Sequence, residues 1–156
     1  MLLLDTSEFQ SKLDKVHSCL DQKVVLLTKM LNLTKQIEVQ TRNEDIFLDD
    51  LLADRGNCIE RYNKCSLLIK QLSEQIKHDD EDYFNILNKA LLGEKVEDIK
   101  LSVITELSVK ANDLYEKIKV INASAQENLL KQRDKLKEEG KAFRASEYNK
   151  SNLFRN

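Results

Sequence analysis

Residues 104–125 read ITELSVKANDLYEKIKVINASA. Ile104, Leu107, Ala111, Leu114, Ile118, Ile121 and Ala125 follow one another in steps of 3, 4, 3, 4, 3 and 4, the spacing that keeps returning a side chain to one edge of an α-helix. The small Ala111 and Ala125 leave room for a neighbouring helix to approach closely on that edge.

The same rhythm runs through the preceding sequence. A first helix is expected to open after the capping residues Asp5, Thr6 and Ser7 and to present Phe9, Leu13, Val16, Leu20, Val24, Leu27, Leu31 and Ile37. An extra four-residue step from Leu20 to Val24 is a stutter in an otherwise heptad pattern. This helix should end near Thr41, after roughly 50 Å at about 1.5 Å per residue. The stretch TRNED, residues 41–45, is the best turn candidate, with Asn43 suited to a cap or left-handed position. A second helix follows with Leu48, Arg55, Tyr62, Ile69 and Ile76 in one register and Leu51, Cys58, Cys65 and Leu72 in the other. Arg55 is its polar intruder, read here as an edge residue with a packed aliphatic stem in preference to a residue that selects register or partner. The acidic run Asp79–Asp82 can start a short connecting helix over the apolar stretch Tyr83–Leu92, and Gly93 stands where a C-terminal cap belongs.

Absence of proline, only three glycines and a 33% charged fraction leave few residues to make tight turns, while 41% hydrophobic residues suffice for a modest core. The fold class expected is all-α: a long antiparallel helical hairpin or coiled-coil-like bundle of three long helices, one short connecting helix and a projecting C-terminal helix and tail. Residues 1–143 form one helical domain in this reading and residues 144–156 a flexible tail.

Charge argues against nucleic acid as a partner. The net charge is −2, and the eight Lys/Arg from Lys131 onward are interleaved with four Asp/Glu, which makes a weak electrostatic footprint. The opening MLLLDTSEF has three leucines before Asp5, too few for a signal-peptide core, and no apolar run approaches the ~20 residues of a membrane span. A cytoplasmic protein without membrane insertion is expected, its three cysteines kept as free thiols. Cys58 and Cys65 stand about 10 Å apart along one helix at about 1.5 Å per residue, too far to share a metal directly, and His17 and His78 are remote in sequence. The carboxylates of residues 79–82 point in different directions from a helix start and read as solvated. Glycine-rich phosphate loops and a G-x-S-x-G elbow are absent from the sequence. No enzymatic activity, catalytic residue, metal ligand or cofactor is expected.

Beyond Ala125 the edge continues through Leu129, Arg133, Leu136, Gly140 and Phe143, so covering it within the chain would gain little. Leu129, Leu136 and Phe143 recur at seven-residue spacing and offer a stripe to a partner helix.

Residues 26–72, LLTKMLNLTKQIEVQTRNEDIFLDDLLADRGNCIERYNKCSLLIKQL, and residues 120–136, VINASAQENLLKQRDKL, resemble the first helical pair and the late helix of the FlgN/FliT-like flagellar type III export chaperones. The resemblance implies a small cytoplasmic all-helical chaperone. It would bind the C-terminal helical segment of late flagellar substrates, such as hook-filament junction or cap proteins, and deliver them to the export gate. In that family the late helix and C-terminal end carry partner contacts, which maps here onto Leu129, Leu130, Leu136, Phe143 and Tyr148. A monomer or homodimer is expected. The rival reading is a structural coiled-coil protein whose tail completes a homo-oligomeric scaffold.

Overall fold

The computed structural model describes the backbone of residues 3–142 and the side chains of residues 7–140. Four helices account for nearly all of it: α1 (Leu3–Gln40), α2 (Asp49–Asp79), α3 (Glu81–Leu91) and α4 (Ile99–Ala142). The all-α bundle expected from the heptad spacing is the architecture found. Its short helix, α3, begins at Glu81 inside the acidic run.

Local chemistry explains the end of α2, both ends of α3 and the start of α4. Asp80 serves two helices at once. Its N–H reaches the Ile76 carbonyl at 2.8 Å to close α2, and its carboxylate accepts the Tyr83 N–H at 3.1 Å to open α3. One extended residue, with φ −154° and ψ 97°, thus turns the chain between them. Asp98 caps α4, accepting the N–H groups of Lys100 at 2.9 Å and Leu101 at 3.1 Å. At the end of α3, Gly93 donates to Ala90 O and Glu94 to Lys89 O, both at 3.0 Å, the paired bonds of a Schellman motif. Gly93 adopts φ 84°, and a Cβ there would lie 3.3 Å from Val109 Cγ2, so the site favours glycine on both counts. Gly140, by contrast, does not interrupt α4, which runs through it to Ala142; one glycine costs a long helix only about 1 kcal/mol.

Cross-helix bonds fix direction. Lys12 pairs with Asp79 at 2.9 Å and Arg55 reaches Thr34 at 3.3 Å, so α2 descends alongside α1. Lys100 donates to Gln10 at 2.6 Å and Asn128 to Thr41 Oγ1 at 3.1 Å, so α4 ascends parallel to α1. Tyr83 meets Phe9 edge-on at 4.5 Å, while Leu91 shares a cleft with Leu20 and Lys23, so α3 ascends too. Helix α1 packs on α2 and α4, and α3 packs on the same two from the opposite side. No Cα of α2 comes within 8 Å of α4, nor of α1 within 8 Å of α3. These pairs are the two diagonals of a four-helix arrangement.

The core divides along the bundle axis. Around α3 all four helices contribute: Leu13, Val16 and Leu20 meet Ile69, Leu72, Ile76, Leu87, Ala90, Leu101 and Ile104. Higher up, α1 and α4 supply Val24, Leu27, Met30, Leu31, Ala111 and Ile118, with Cys58 and Tyr62 of α2 packed against them. Leu26 and Met30, outside the stripe read from the sequence, are also buried. Helix α1 is clasped from two sides, which widens its buried arc beyond a single heptad edge.

Arg55 is not the edge residue expected. Its guanidinium donates to Asn122 Oδ1 at 3.0 Å as well as to Thr34 Oγ1, linking α2, α4 and α1. Burial lowers its pKa from the ordinary arginine value. A half-buried cation without a carboxylate gains little over an apolar group of the same shape. Arg55→Met should therefore change the unfolding free energy by less than about 1 kcal/mol, whereas Ile76→Ala, at a fully buried position, should cost about 2–5 kcal/mol. Urea denaturation measures both, and an equal cost at Arg55 would make the polar bridge as important as the core.

Burial raises the Tyr83 hydroxyl to about 12 from its usual 10.0, with Asp98 and Asp80 adding to the effect. The folded chain holds this proton more tightly than the unfolded one. The contribution is full below the ordinary tyrosine value and disappears as pH climbs through about 12. In an alkaline titration followed by tyrosinate absorbance, Tyr83 should ionise well above the ordinary value, and Tyr83→Phe should remove the late step.

Candidate partner-binding slot

Helix α3 fills the bundle position opposite α1 only up to Leu91. Above that level no helix among the described residues takes the position, and α2 and α4 face each other across a slot floored by α1. Between the level of Lys23 and the end of α1 at Gln40 the slot is roughly 25 Å long at about 1.5 Å per residue. An amphipathic helix of four to five turns would fit such a length at about 5.4 Å per turn.

The burial pattern follows this vacancy. The buried residues of α2 are Ile69, Leu72, Ser73 and Ile76, all in its last third where α3 lies alongside. Its earlier heptad positions, Leu51, Arg55, Cys58, Tyr62 and Cys65, have the expected orientation but are only half-buried. Leu52 is half-buried and Ile59 is 40% exposed. Gly56 lies exposed in the same stretch, and a Cβ added to it would meet nothing within 4 Å.

The opposite wall comes from α4. Ser108 and Tyr115 line the cleft at the foot of the slot, and Asn122, seven residues beyond Tyr115, meets Arg55 across it. Seven-residue steps return to the same helix edge, so Leu129 and Leu136 carry that edge upward. Both are half-buried and belong to neither hydrophobic cluster. Leu130 is 48% exposed and sits one position round the helix. Phe143 and Tyr148 lie outside the described residues. Asn128 and Gln132 tie this part of α4 to the end of α1, donating to Thr41 Oγ1 and to the Asn43 carbonyl, the latter at 3.4 Å.

Two cations line the slot. Burial lowers the pKa of Lys23, with the neighbouring Cys65 acting weakly in the opposite direction, and its ammonium lies 4.7 Å from the Tyr62 ring centroid. Among the described residues neither Lys23 nor Arg55 is in an ion pair. Cys19 faces Cys65 across α1 and α2, and its thiol pKa is raised by burial and then by that neighbour. All three cysteines are free and half-buried. Among the described residues no three His, Cys, Asp or Glu side chains converge to hold a metal, and no helix is long and apolar enough to cross a membrane.

Heptad spacing in the sequence points to Leu129, Leu136 and the α2 edge but not to Lys23, Ser108, Tyr115 and Asn122. The signal that could have found the last three is the seven-residue series Ser108, Tyr115, Asn122, Leu129 and Leu136, adjacent to the more apolar seam that dominates α4. No family model, curated protein or solved structure matches the chain.

Proposed function

We propose that the chain is a helical binding protein that receives an amphipathic helix of a protein client in the slot between α2 and α4. The observation that carries the reading is the absence of any buried residue in the first two-thirds of α2, above the level where α3 supplies a fourth helix. A client helix would complete the four-helix arrangement already present at the other end and cover Leu52, Ile59 and Leu129, and by running about 12 Å past the end of α1 it would reach Leu136.

The resemblance of residues 26–72 and 120–136 to FlgN/FliT-like chaperones gives the client its proposed identity: the C-terminal helical segment of a late flagellar export substrate. Covering the client's apolar face in the cytoplasm would prevent its aggregation before delivery to the export gate. This role needs no cofactor. The rival is a scaffold in which a second copy of the chain fills the slot.

A photo-crosslinking residue at Ile59 or Leu129, used in the source cell, should capture a client helix, and one at Val120, 70% exposed on another face of α4, should not. With the captured segment as a synthetic peptide, Leu129→Ala combined with Leu136→Ala should weaken binding tenfold or more in calorimetry while helicity by circular dichroism stays unchanged. Crosslinks confined to a second copy, together with a concentration-independent dimer in light scattering, would favour the scaffold. Unchanged peptide affinity in the double variant would reject the slot.

A further inference from the structure

Where α3 ends, the slot deepens into a cleft of about 230 Å³ to which all four helices contribute, with Leu20 and Lys23 from α1, Tyr62 from α2, Leu91 from α3, and Ser108 and Asn112 from α4. Leu20, Leu91 and Ala111 supply its apolar part, and Lys23 is the charged side chain among its lining residues. Lys23 brings a cation, Asn112 an amide that both donates and accepts, Tyr62 and Tyr115 bring phenol rings, and no carboxylate among the described residues lines the cleft. Ser108 is 3% exposed, and its Oγ is the buried side-chain oxygen or nitrogen left without a hydrogen-bond partner among the described residues. That oxygen is closed to a water molecule, so it belongs to the wall of the cleft and not to its open face. The Lys23 ammonium is partly withdrawn from water, lies over the face of Tyr62 with Cys65 nearby, and is in no ion pair among the described residues.

We propose that this cleft is a binding site for a small organic carboxylate, its apolar body seated against Leu20, Leu91 and Ala111 and its anionic end directed to the Lys23 ammonium and the side-chain amide of Asn112. A cavity of about 150 Å³ accommodates one benzene ring, so the volume here matches a single ring or short branched chain with a carboxylate attached. The site adjoins the client-helix slot and shares Lys23 with its lower end, but it does not rest on that reading. It lies at the foot of the slot and uses none of Leu52, Ile59, Leu129 or Leu136, so either can fail without the other.

The probe is 3-phenylpropionate, with the uncharged 3-phenylpropionamide as its control, titrated into the full chain and followed by two-dimensional amide NMR. Saturable shifts should centre on Lys23, Ser108, Asn112 and Tyr115, and the amide should bind at least tenfold more weakly. Lys23→Met should reduce carboxylate affinity tenfold or more, while Lys23→Arg keeps most of it. Asn112→Glu, at an exposed position that does not threaten folding, should abolish binding by placing a carboxylate at the mouth. Equal shifts from acid and amide, unchanged affinity in Asn112→Glu, or shifts scattered away from the cleft would overturn the proposal.

Discussion

Gly93 ends α3, and much else in the molecule follows from that stop. Its φ of 84° is easy for glycine and strained for other residues, and Val109 fills the space a side chain would need. Thr105 Oγ1 donates to the Glu94 carbonyl at 2.8 Å, fastening the connection that returns to α4. The chain therefore turns back after an eleven-residue helix. Among the described residues the long helices continue upward without a fourth companion.

The two halves of the bundle are stabilised differently as a result. Around α3, fully covered side chains such as Val16, Ile76, Leu87 and Leu101 form a dry core, each contributing about 1.5–3 kcal/mol through burial. Above α3, α1 and α4 still share apolar contacts, but α2 is joined through half-covered residues and the Arg55 bridge. Asn128, Glu38 and Thr41 continue this polar lacing at the top. Regions with few buried apolar contacts open locally at lower cost than the core. A slot built this way can adjust to an incoming helix while the lower half keeps α1, α2 and α4 in register.

Slot and cleft draw on different parts of that asymmetry. The slot depends on missing coverage along two helix edges. The cleft depends on the abrupt end of α3, which leaves Leu91 beside Leu20, Lys23 and Asn112 around unfilled volume. Both features are built from ordinary residues scattered over several helices, which is why no compact motif announces them.

The sequence by itself determined the four helices, the turn near Asn43, the cap at Gly93 and the inward edges of α2 and α4, because helical periodicity and capping act over a few neighbouring residues. Tertiary structure decided how completely those edges are covered. A leucine at a heptad position is buried only if another helix arrives opposite it, and Leu129 has the same spacing whether or not one does. The wider burial of α1, seen at Leu26 and Met30, arises from two neighbours on different sides. Arg55 became a bridge because Thr34 and Asn122, 21 and 67 residues away along the chain, converge on its guanidinium. Such long-range convergence is set by packing geometry and leaves no local signature.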